Sequence, residues 1–66
     1  MAFRYKVLVI DPLNFVAGFK REEDAQFFAK HLFADNGIEC CVHDDVLDVR
    51  TDYCTAETKA RIARYD

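Results

Sequence analysis

Between Glu22 and Asn36 the apolar residues Ala25, Phe28, Ala29, Leu32 and Phe33 recur at i, i+3, i+4, i+7 and i+8, the stripe of one amphipathic helix. Glu22, Glu23 and Asp24 stand at its start, where the helix dipole favours anions, and Asn36 with Gly37 supplies a left-handed stop. Phe27, His31 and Ala34 form a flanking column. Either the helix is gripped by a sheet and a second element beside it, or Phe27 is exposed. His31 reads as a flank residue touching solvent.

The chain before this helix reads as strands. From Phe3 to Asp11, Arg4 and Lys6 alternate with Phe3, Tyr5 and Val7, after which Leu8, Val9 and Ile10 leave no polar face. One end is half-buried and the other is covered on both sides. Asp11, Pro12, Leu13 and Asn14 form a turn, because proline fixes φ and Asp and Asn bond to nearby backbone. Phe15–Phe19 returns as a short second strand, with Gly18 weakening it or marking a bulge.

Ile38 to Arg50 reads as a hairpin. A two-residue turn at Asp44 and Asp45 sets Val42 opposite Leu47, Cys40 opposite Val49 and Ile38 opposite Thr51, all on an inner face. The outer face then pairs Cys41 with Asp48, Glu39 with Arg50, and His43 with Val46. An Asp-Asp turn lacks the usual glycine, so a longer loop is the alternative. Thr51 to Asp66 reads as a second helix capped by Asp52 or Thr55, with Glu57 and Arg61 as an i, i+4 pair. Its apolar residues form no single stripe, so loose packing is expected.

At 66 residues the chain makes one domain, residues 1–66, and a domain of this size buries only about 60% of its unfolded surface. Little apolar surface can be left idle. The longest apolar run, Val7 to Ile10, is far short of the roughly 20 residues of a membrane span, and the start lacks the pattern of a secretion signal. Cys40, Cys41 and Cys54 are an odd set with two adjacent, a poor disulfide framework that fits a reducing compartment. These features together give the expectation of a cytoplasmic protein. Net charge is −3, and its source is local: residues 35–52 hold Asp35, Glu39, Asp44, Asp45, Asp48 and Asp52 against Arg50 alone. This segment reads either as a solvated polar face or as an acidic patch that docks on a basic partner.

No catalytic or cofactor motif is present, and no cofactor is expected. Cys41, His43 and Asp48 share the outer hairpin face and are ligand types for zinc, with Cys54 as a fourth group, but their spacing is not that of paired structural ligands. The plainer reading is an exposed Cys and His beside a turn, with Cys40 a small core side chain. A Cys–His nucleophile needs a walled cleft that so short a chain seldom forms. Arg4, Lys6, Lys20 and Arg21 are not joined by interleaved aromatics into a nucleic-acid stripe, and direct nucleic-acid binding is not expected.

The resulting expectation is a compact α+β domain, β-β-α-β-β-α, with a mostly antiparallel sheet crossed by the Glu22–Asn36 helix. With its short hairpin, the helix REEDAQFFAKHLFADNG and the acidic segment ECCVHDDVLD, the chain resembles the small acidic single-domain inhibitors of bacteriophages, anti-CRISPR proteins and inhibitors of host RNA polymerase among them. That resemblance implies non-enzymatic occlusion, with Glu39, Asp44, Asp45, Asp48 and Asp52 occupying a Lys/Arg site that normally holds nucleic acid. A homodimer closing through the sheet face at Leu8 and Ile10 is the alternative, and a small metal or redox module using Cys41 and His43 is the third.

Overall fold

The computed structural model describes residues 3–10 and 13–65. Its central strand is β1, Tyr5–Val9, which pairs antiparallel on one side with β2, Asn14–Phe19, and on the other with β3, Cys40–Asp44. Strand β4, Val49–Tyr53, pairs antiparallel with β3 and completes a four-stranded sheet in the order β2-β1-β3-β4. The two helices are α1, Glu22–Asn36, and α2, Ala56–Tyr65, so the element order is β-β-α-β-β-α. The expected α+β architecture is therefore present. Of the expected turn at Asp11–Asn14, Asp11 and Pro12 lie outside the described residues.

Alternation along β1 and β3 makes two different sheet faces. Tyr5, Val7, Cys40 and Val42 turn towards α1 and form the core with Ala25 and Ala29, with Phe19, Phe28, Leu32, Phe33 and Tyr53 packed around it. Ala25 and Ala29, fully buried, are the smallest residues of the α1 stripe; they let the helix backbone lie close to the strands. The Cys40 thiol donates to the Ala29 carbonyl oxygen at 3.3 Å. Phe19 and Phe28 meet at 5.4 Å between ring centroids. Phe27 resolves to the exposed alternative, its ring against His31. Gly37 ends α1 at φ 67°, and its N–H and that of Ile38 take the Phe33 and Leu32 carbonyls.

Two local expectations are corrected. The irregularity in β2 is not at Gly18: the register passes from Val7–Ala17 to Leu8–Phe15, leaving Val16 as the extra residue. Gly18 serves instead as the seat of the Phe3 ring, which leaves no room for a Cβ. The β3–β4 register also differs from a two-residue turn, since Cys40 pairs with Tyr53, Val42 with Thr51 and Asp44 with Val49. The connection is four residues long, 45–48. The physical reason is Asp44, whose carboxylate accepts the N–H groups of Val46 and Leu47 while its carbonyl accepts from Asp48 N–H at 2.7 Å. A side chain that binds the backbone this way competes with the tight turn, in which two Asp residues would both need positive φ.

Helix α2 attaches by polar contacts. Thr55 caps it, accepting the Thr58 N–H, and Glu39 accepts hydrogen bonds from Thr55 N–H, Thr55 Oγ1 and Thr58 Oγ1. Glu39 therefore does not pair with Arg50 as the two-residue turn requires; Arg50 sits opposite His43 and bonds Asp52 at 2.6 Å. No helix among the described residues is long and apolar enough to cross a membrane.

Candidate interaction surface

The five carboxylates expected to contact a partner fall into three places. Asp44, Asp45 and Asp48 gather at the β3–β4 tip, Asp52 lies further along β4, and Glu39 sits before β3 beneath α2. Four of the five are held by cations or hydroxyls of the same domain.

Asp44 is buried and forms a two-pronged bond with Arg4, Nε to Oδ1 at 3.1 Å and Nη2 to Oδ2 at 3.2 Å. This guanidinium, helped by the Val46 and Leu47 N–H groups, holds the Asp44 carboxyl below the usual range. Asp45 accepts from Lys6 Nζ at 2.8 Å and from His43, and Lys6 is the main cause of its lowered pKa. Glu39 is lowered first by the Thr55 backbone N–H and then by Thr58. Asp52 is paired with Arg50. Asp48 differs: its side chain is 90% exposed and, among the described residues, bonds only the His43 ring, at 2.8 Å, and its backbone stands at φ 53°, the one non-glycine residue among them with positive φ.

Between these carboxylates the tip presents an apolar surface. Val46, Leu47 and Val49 are 67%, 64% and 54% exposed. Alternation hid them, because a two-residue turn would have aimed Leu47 and Val49 inward. The available signal was the pair Val46-Leu47 set between Asp45 and Asp48: apolar residues inside a polar turn have no core to reach. Behind Leu47 and Val49 a cleft of about 70 Å³ runs to Tyr5, Gln26 and Val42.

The expected Cys41–His43–Asp48 ligand set separates. His43 and Asp48 do meet, but Cys41 lies opposite Asp52, is 1% exposed, and its thiol is pushed up by burial. It is thus not the exposed cysteine expected beside the turn. Both His43 ring nitrogens lie on carboxylate oxygens, so the imidazole has no face for a thiol or a metal. Among the described residues no group of three His, Cys, Asp or Glu side chains is arranged to hold a metal ion. Compared with known protein families, curated proteins and solved structures, the chain finds no match.

Proposed function

We propose that this protein is a non-enzymatic binding module, an inhibitor in the manner of small acidic phage proteins, that docks the β3–β4 tip on a site of a larger protein. Val46, Leu47 and Val49 fill an apolar recess. Asp45 and Asp48 face Lys or Arg side chains on its rim, of the kind that a nucleic-acid-binding surface carries. One observation carries this reading: three large apolar side chains stand more than half exposed at the β3–β4 tip, Val46 and Leu47 on the turn and Val49 at the start of β4, in a domain too small to leave such surface idle. The turn is also fixed beforehand, by Asp44 on two backbone N–H groups and by Arg4 on Asp44. Such preorganisation lowers the entropic cost of docking.

The test is capture of a basic partner by the tagged protein, repeated with the double variant Val46→Ser and Leu47→Ser and with Asp48→Lys. Both lose the partner while far-ultraviolet circular dichroism stays native, because no altered side chain belongs to the core. Retention of the partner by the double variant overturns the reading. Self-association through a different surface from the sheet face at Leu8 and Ile10 has its own observation, since β2 is an edge strand with Phe15 and Val16 exposed and Leu13 exposed just before it. A dimer in light scattering that survives the tip variants and dissociates with Val16→Lys favours it.

A further inference from the structure

His43 occupies the sheet face away from α1, between a cation on each neighbouring strand: Lys6 of β1 and Arg50 of β4 are its register partners. Lys6 is bound to Asp45 and Arg50 to Asp52. The ring bridges two carboxylates of the tip, Nδ1 lying 2.9 Å from Asp45 Oδ1 and Nε2 lying 2.8 Å from Asp48 Oδ1. An ionised carboxylate only accepts hydrogen bonds, so each ring nitrogen must carry a proton. This geometry belongs to the imidazolium. A neutral ring has one donor and turns a lone pair towards the other carboxylate.

The two carboxylates are not equally free to leave. Asp45 is also held by Lys6, whereas Asp48 is almost fully exposed and, among the described residues, is held by His43 alone. Asp48 further keeps a left-handed backbone, a conformation that Asp adopts more readily than most L-residues but still at some cost. We propose that His43 is a proton-operated latch on the tip: protonated, it ties Asp48 back across the 45–48 loop, and deprotonated, it releases the Asp48 carboxylate to meet a partner's Lys or Arg.

This rests on the tip being the docking surface, but the latch itself is a property of the free protein. Asp48 first, then Asp45, raises the His43 pKa against the opposing effect of desolvation. The latch is therefore closed below the ordinary histidine range and opens as pH rises through the raised value. Linkage then requires that a partner cation on Asp48 favour proton release from His43.

The experiment is a nuclear magnetic resonance titration of the full chain without partner, from about pH 5 to about pH 9. It follows the His43 ring and the amides of Val46, Leu47 and Asp48, in the natural sequence and in Asp48→Asn and His43→Gln. The expected result is one shared midpoint for ring and loop, above about 6.5. Asp48→Asn keeps an acceptor but removes its charge, and should weaken proton binding at His43 about tenfold. His43→Gln should abolish the loop transition in this range. Loop amides that do not follow the ring, or a midpoint unmoved by Asp48→Asn, overturn the latch. Neither result depends on docking, so a failed latch and a failed docking surface are told apart.

Discussion

The two faces of the sheet are built from the same strands and held by different physics. Cys40 and Val42 look towards α1 into a dry layer of alanine, valine and aromatic side chains. Cys41 and His43, their neighbours on β3, look the other way among Lys6, Arg50, Asp45, Asp48 and Asp52. The apolar layer of the first face is non-directional and indifferent to salt or protons. The second consists of partly exposed ion pairs, each of small net worth and each sensitive to screening. Bulk stability is therefore assigned to one face, and response to conditions to the other, next to the surface proposed to dock.

The largest expected effect comes from breaking the apolar face at its tightest point. Ala29 is fully buried where α1 meets β3, so Ala29→Leu forces helix and sheet apart and should cost about 1–3 kcal/mol. The same change at Ala34, exposed on the same helix, should stay within about 0.5 kcal/mol. Urea unfolding of both variants measures this. Equal costs at the two sites would mean that the core is not seated on Ala29.

A pH series addresses the charged groups of the sheet, and the signs follow from the shifts. Asp44, Asp45 and Glu39 are lowered in the fold. Their contribution is complete above the unfolded value of about 4 and disappears as pH falls through the folded values. His43 is raised, so its contribution is complete below about 6.5 and is lost as pH rises through its folded value. These charged groups together thus stabilise most between about pH 4 and about 6.5. Thermal midpoints should peak in that window and the peak should flatten in high salt. A midpoint that keeps rising above neutrality contradicts this account.

The contrast between faces also marks what the sequence could and could not reveal. Element types, their order and the inward set Val7, Cys40 and Val42 follow from periods of 2 and 3.6, and α1 has the bounds its stripe and caps indicate. The β3–β4 register was not legible, because it depends on the Asp44 side chain capturing two backbone N–H groups, which leaves no trace in alternation. The pairing still kept the β3 residues Cys40, Cys41, Val42 and His43 on their expected faces, since it moved by an even number of positions. The site suffered more than the fold. Leu47 and Val49 left the interior, Glu39 went to α2, and Arg50 came opposite His43. Each follows from a long-range partner, Arg4 on Asp44 or Thr58 on Glu39, that no local pattern encodes.

The smallest effect is the sharpest probe, because Cys40 and Cys41 are adjacent and enter opposite faces. Both are buried. Burial pushes the Cys40 thiol up to about 11 and raises Cys41 as well, so both are poor thiolates at neutral pH. Cys54 is only partly buried and should be alkylated first. The two buried thiols then separate by what protects them. Salt at about 1 M shortens the screening length to about 3 Å, loosening the Arg50–Asp52 pair, whose Asp52 lies opposite Cys41, while leaving the apolar layer over Cys40 intact. Mass spectrometry of partially alkylated protein should show Cys41 labelling accelerated a few-fold by salt and Cys40 labelling unchanged. If salt accelerates both thiols alike, the faces open together and the division between them is not energetic; if it accelerates Cys41 alone, charge is what closes that face.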